Sequence, residues 1–301
     1  MVAPGPVNPA CERHVGPGPH LMMADRFSRY DQLQRRLFLT VKTLVQAAGA
    51  NPRRHPPAIV VFVSGVHRSG TNMTMRILER SIDTDVFHES DPRAFDNYMM
   101  RKDDVLCDLI ARSSSRRIVF KALHEAHDLR RLMTRFEPSR LLWVYRHFDH
   151  VVDSIARRWP GSRNLMDQII TRGDAGGWRG LGMSAPTREL LAGLYHDDMN
   201  DVTITALFWY QRNQLLLDQG LESDRRCMLV NYETLARAPV ANIKEICNFL
   251  DISHNNSMRR IVHARSIAKN PAPPIEPRVR ALCQELYDRL REAARGGTAA
   301  A

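Results

Sequence analysis

Hydrophobic and polar positions along this chain switch repeatedly between two periods. Residues 26–48 carry helical spacing, with Leu33, Leu37, Val41, Leu44 and Val45 on one face. Residues 59–63, Ile-Val-Val-Phe-Val, form an unbroken apolar run, the pattern of a strand buried on both faces. Similar short runs recur at 117–121, 140–146 and 226–232. Each is followed by a segment of helical period, at about 73–80, 126–136, 149–159 and 239–250. A further long helix is predicted at about 199–217. Strands alternating with helices predict right-handed βαβ units and an α/β fold with a mostly parallel sheet flanked by helices.

Between 160 and 200 the periodicity breaks into a Gly-rich polar stretch, read as an insertion near the site. The predicted organisation is a disordered segment at 1–25, an amphipathic helix and linker at 26–57, one domain at 58–292 and a frayed tail at 293–301. In such sheets, sites lie beyond the carboxyl ends of the strands. Residues 65–71, Lys121, Arg146 and Tyr232 all fall at those ends. Polar groups at four separate strand ends are hard to explain by core packing.

Composition narrows the partners. The net charge of +10 over 301 residues fits an anionic ligand. Only 7% of residues are aromatic, and no Arg/Lys run is interleaved with aromatics, so specific nucleic-acid binding is not expected. The five cysteines are widely spaced with no C-x-x-C, which argues against a disulfide framework or zinc site and for a reducing compartment. The N-terminus lacks an apolar signal region, and no apolar run reaches the roughly 18 residues that span a bilayer, so a cytoplasmic protein is expected. Met22 or Met23 is an alternative start, and a homodimer is an allowed assembly.

The chemistry concentrates after the first strand. Gly65-Val-His-Arg-Ser-Gly70 fits the G-x-x-x-x-G of a phosphate-binding loop, but Thr71 and Asn72 stand where an ATP-binding loop has Lys and Ser/Thr. No strand end offers an acid for magnesium. What remains is a nest of backbone N–H groups at a helix N-terminus with Arg68 beside it, suited to a single 5′-phosphate.

The segment "GVHRSGTN" resembles the 5′-phosphosulfate loop of sulfotransferases, usually P-[RK]-S-G-T-[ST]. The segment "YRHFDHVVDSIARR" resembles their 3′-phosphate motif, an Arg ending a strand and a Ser eight residues later. The resemblance runs from about residue 58 to 270, and its motif spacing is closest to the tyrosylprotein and carbohydrate branches. It implies a P-loop NTPase-like three-layer fold and a metal-free enzyme. The implied reaction moves a sulfuryl group from 3′-phosphoadenosine 5′-phosphosulfate to a hydroxyl acceptor, such as a glycan, glycolipid or other metabolite.

The same resemblance assigns Arg68, Ser69, Gly70, Thr71, Asn72, Arg146 and Ser154 to the donor, with Arg158 four residues on from Ser154. Tyr232 and Ser266, in "RSIAKN", are looser matches for adenine contacts, because the C-terminal Arg-Lys-Gly of cytosolic members is absent. Lys121 takes the position of the cation beside the transferring group, with Arg68 close by. Glu89, 21 residues after Arg68, is the favoured base; His124 and His88 are alternatives. His67 replaces the family's Pro and Asn72 its second Thr/Ser. Two competing readings remain at this point: a small-molecule kinase using ATP and magnesium, and a non-catalytic nucleotide-binding protein.

Overall fold

The structure is a computed structural model and describes residues 29–49, 58–156, 163–172, 177–262 and 271–298. The described residues divide into two units, one up to Leu44 and one from Val45 onward. Helix α1 (Arg29–Gly49) carries the apolar stripe read from the sequence. Leu33, Leu37, Val41, Leu44 and Val45 on it are exposed. The segments at 1–25 and 51–57, together with Arg158 and Ser266, lie outside the described residues.

Strand β1 (Ile59–Gly65) feeds α2 (Thr71–Glu79). Next come β2 (Thr84–Phe87), a short hairpin of β3 (Phe95–Asp96) and β4 (Met99–Met100), and α3 (Asp103–Arg112). β5 (Arg117–Phe120) leads through a 3₁₀ turn at His124–His127 into α4 (Leu129–Arg135). β6 (Ser139–Tyr145) precedes α5 (Phe148–Ala156). The irregular 160–200 stretch contributes α6 (Arg163–Arg172) and α7 (Ala185–Leu194) before the long α8 (Asp201–Asp218). β7 (Cys227–Asn231) is followed by α9 (Tyr232–Arg237), α10 (Pro239–Leu250), α11 (Asn256–Arg259) and α12 (Pro277–Thr298).

Five strands pair in the order β2-β5-β1-β6-β7, every pair parallel. Alternate residues of β1 serve opposite faces, as a strand requires. Val60 and Phe62 join Phe120, Trp143 and residues of α8 and α12 on one side. Val61 and Val63 join Met75, Val144 and residues of α10 on the other. The result is three layers with β1 in the middle, so the loop after β1 opens at the centre of the sheet's carboxyl edge. Gly65 is required there: a Cβ would lie 2.1 Å from the Val144 carbonyl oxygen.

The structure departs from the sequence expectation at several elements, of which three are instructive. β2 was not anticipated, because Thr-Asp-Val-Phe is short and half polar; it is an edge strand, with Thr84 Oγ1 donating to Leu78 O at 2.8 Å. The helix expected at 126–136 is a 3₁₀ turn followed by α4. The C-terminal helix continues past residue 292, through Gly296, to Thr298.

Candidate active site

The loop between β1 and α2 turns through three left-handed residues, Gly65 at φ 140°, Arg68 at φ 70° and Gly70 at φ 104°. Positive φ is costly for arginine, and such strain is retained where the surroundings hold it. Arg68 is held on two sides: its Nε donates to Ser154 Oγ at 2.9 Å, and its carbonyl accepts from Arg146 Nη1 at 3.3 Å. Gly70 cannot be replaced without displacement, since a Cβ there would lie 2.4 Å from the Tyr232 ring. Past it, the first N–H groups of α2 point outward without intrahelical partners, as at any helix start. Ser69 is buried, and its Oγ has no hydrogen-bond partner among the described residues.

Lys121 follows β5 and is only 3% exposed. Its ammonium donates to Asn72 Oδ1 at 2.7 Å and pairs with Glu89 Oε1 at 2.8 Å. Three residues singled out separately in the sequence therefore meet at one point beside the loop. Burial pushes the Lys121 pKa down, and Glu89 opposes that shift. The second Glu89 oxygen, Oε2, is buried and takes no hydrogen bond among the described residues.

Arg146, Ser154 and Tyr232 meet the loop at Arg68 and Gly70. Arg146 is buried with its guanidinium 4.3 Å from the Tyr232 ring centre, a cation–π contact. Its Nε lies 3.8 Å from Glu233 Oε1, and its carbonyl accepts from Trp209 Nε1 at 3.2 Å. Tyr232 thus packs between Gly70 and Arg146. Glu233 also accepts from the His147 N–H at 3.1 Å and meets His150 Nδ1 at 2.9 Å.

The alternative bases, His88 and His124, have other neighbours. His88 Nε2 lies 3.4 Å from Glu79 Oε1, behind α2. His124 stacks on Trp178, ring centres 4.0 Å apart. His67, standing where proline was expected, lies 5.0 Å from Trp178 and 5.8 Å from His124. The histidine ties the 160–200 stretch to the loop by aromatic contact. Burial first, then His124 and the cations Lys121, Arg212 and Arg179, hold its pKa well below the ordinary value, so the ring is neutral at pH 7.

Sequence reasoning missed Arg212, Glu125 and Trp178. Arg212 is 1% exposed and donates to the carbonyls of Trp178 at 3.2 Å and Leu123 at 3.0 Å. A lone arginine in the apolar run "ALFWYQRNQLLL" was the available signal. Glu125 Oε1 accepts from the Met100 N–H at 2.7 Å and fastens the β3–β4 hairpin.

Burial, reinforced weakly by Glu89, raises the Glu125 pKa from the ordinary 4.5 to about 7. The folded state thus prefers the protonated acid. Glu125 costs no stability below pH 4.5, an increasing amount as pH rises toward 7, and the full amount above it. Glu125→Gln, which keeps the acceptor for Met100, is expected to stabilise by about 3 kcal/mol at pH 8, with the gain shrinking toward pH 5. Thermal melts at the two pH values check this; a pH-independent gain contradicts it.

A parallel α/β sheet with a phosphate-type loop at its centre, flanked by buried arginine and lysine, is the arrangement expected of a P-loop-like α/β protein. The model of the sulfotransferase domain matches residues 59–275, and the chain belongs to this family. The protein is therefore an enzyme that transfers sulfuryl groups, and the kinase and non-catalytic readings are set aside. No curated protein matches it. Among solved structures it is similar to the sulfotransferase domain of the curacin biosynthetic pathway, at 14% identity over 77% of this chain and 98% of that one, TM-score 0.49. It is also similar to a sulfotransferase from Alicyclobacillus acidocaldarius, at 14% identity over 80% and 95%, TM-score 0.46. Mouse sulfotransferase SULT7A1 complexed with PAP matches at 13% identity over 81% and 87%, TM-score 0.44. Among the described residues no helix is long and apolar enough to cross a membrane.

Proposed function

We propose that the protein transfers a sulfuryl group from 3′-phosphoadenosine 5′-phosphosulfate to a hydroxyl acceptor, with Glu89 as base. The observation that carries this reading is the Asn72–Lys121–Glu89 cluster beside the loop, with one buried Glu89 oxygen left unpaired. The residues present fit such a donor. The orphaned Ser69 hydroxyl, the N-terminal N–H groups of α2 and Arg68 suit its 5′-phosphosulfate, and Arg146 with Ser154 suits its 3′-phosphate.

In the reaction, the acceptor oxygen forms a bond to sulfur while the bond from sulfur to the bridging phosphate oxygen breaks. The hydroxyl proton passes to Glu89, and 3′,5′-bisphosphoadenosine leaves. Lys121 neutralises charge on the transferring and leaving oxygens, the electrostatic logic of phosphoryl transfer. Its ammonium needs no rearrangement, because Asn72 and Glu89 already fix it.

The donor is tested by titrating the protein with 3′,5′-bisphosphoadenosine in the presence of EDTA, followed by transfer from ³⁵S-labelled donor to a lysate. Tight metal-free binding and a labelled product are expected. Binding of ATP with magnesium in preference to the bisphosphate would overturn the donor assignment.

A further inference from the structure

Next to the Lys121 cluster, the charges of the described residues do not balance. Three cations surround the neutral His67 ring and act on it together: Lys121, Arg179 and Arg212. Lys121 is matched by Glu89 at 2.8 Å. Arg212 is sealed in the core at 1% exposure and donates to two carbonyls, so no ligand reaches it. Glu125 acts electrostatically on Arg212, but with its pKa raised to about 7 it supplies only part of a negative charge at neutral pH.

Arg179 is the remaining cation. It follows Trp178 in a 3₁₀ turn at 177–179 and is half-buried. Its guanidinium lies 4.4 Å from the Trp178 ring centre. Among the described residues no carboxylate or hydrogen bond compensates it, and burial is the one influence that shifts its pKa. Desolvation disfavours its charge, with Arg212 as a like-charged neighbour. Partly burying a cation without a counter-ion is costly, and such groups cluster at binding sites, where a ligand supplies the missing charge.

The position favours the acceptor over the nucleotide. Trp178 stacks on His124, which begins the 3₁₀ turn just past Lys121, so Arg179 is connected to the reacting end. Arg146 and Ser154, proposed above for the 3′-phosphate, and the Tyr232 ring instead contact the loop at Arg68 and Gly70. His67, His124 and Trp178 add a wall of flat rings beside the charge.

We propose that the hydroxyl acceptor carries an oxyanion, a carboxylate or phosphate group, and that Arg179 is the residue that reads it. This rests on the sulfuryl-transfer reading above and narrows its acceptor to acidic hydroxyl compounds. The planar guanidinium suits a two-pronged bond to either oxyanion.

The test uses 4-hydroxyphenylacetate and its neutral amide as probes, titrated by calorimetry into protein saturated with 3′,5′-bisphosphoadenosine, which occupies the phosphate loop. The acid is expected to bind at least about tenfold more tightly than the amide, the usual worth of a charge-assisted hydrogen bond. Arg179→Gln should erase most of that preference, Arg179→Lys should keep part of it, and both should leave nucleotide affinity unchanged. Equal affinity for acid and amide, or no binding of the acid, overturns the proposal. So does a loss of nucleotide affinity in Arg179→Gln, which would put the arginine on the donor. If the nucleotide itself fails to bind, the donor assignment falls instead. The acid–amide preference of wild type against Arg179→Gln, run without nucleotide, then still decides whether Arg179 reads an acid, and inorganic phosphate against acetate as competitors separates the two oxyanions.

Discussion

Glu89→Gln is expected to lower sulfuryl transfer by about 10²- to 10⁴-fold, the usual contribution of a general base, with 3′,5′-bisphosphoadenosine binding intact. Glutamine is the decisive substitution rather than alanine. Lys121 is buried and pairs with Glu89, so deleting that side chain strands an ammonium, a change that costs roughly 3–5 kcal/mol in buried pairs. Loss of activity in Glu89→Ala would mix a folding defect with a chemical one. Glutamine can still accept from Lys121 through its carbonyl oxygen but cannot take a proton. Thermal melting that stays near wild type, with turnover lost, isolates the chemistry. Full turnover in Glu89→Gln would remove Glu89 as base, and the same assay on His124→Ala would then decide for or against the histidine. The His124 ring is committed to Trp178 at 4.0 Å, so its removal is expected to loosen the 177–179 turn and change acceptor KM more than kcat.

The parts of this site legible in the sequence are those fixed by local pattern. β1 announced itself through an unbroken apolar run, and Gly65 and Gly70 through the loop spacing. Lys121 and Arg146 were identifiable because a cation directly after a buried strand stands at the carboxyl edge of the sheet. Residues whose importance comes from tertiary contact were not legible. Glu125 looks like an ordinary helix-start acid until the hairpin folds over it and Met100 donates to it. Arg212 sits in α8, whose residues from Thr203 to Asn213 are buried all round, so no amphipathic pattern marks which side faces the site. Tyr232 was readable as a strand-end tyrosine, but not as the ring wedged between Gly70 and Arg146. His67 read only as a departure from the family's proline, and contact with Trp178 makes it the attachment point of a segment more than a hundred residues away. α1 shows the converse: its helical period was plain, yet periodicity alone did not reveal that Leu33, Leu37 and Leu44 stay exposed.

Arg146→Gln should separate recognition of the two ends of the donor. The guanidinium is held by Glu233 at 3.8 Å, by the Tyr232 ring at 4.3 Å and by the Arg68 carbonyl at 3.3 Å. A side chain fixed on three sides loses little further freedom on binding, so its charge is available to a phosphate at low entropic cost. Truncating one partner of a buried, hydrogen-bonded charge pair costs roughly 2–5 kcal/mol. Affinity for 3′,5′-bisphosphoadenosine should therefore fall by about 30-fold or more. Adenosine 5′-monophosphate lacks the 3′-phosphate and should bind the variant about as it binds wild type. The contrast between the two nucleotides carries the prediction, because Arg146 also braces the strained Arg68 turn. A variant that lost both ligands equally would show Arg146 acting through the loop, with the 3′-phosphate read elsewhere. A variant that lost only the bisphosphate would place the 3′-phosphate on Arg146. The brace would then be a secondary consequence of placing a buried arginine beside a left-handed residue.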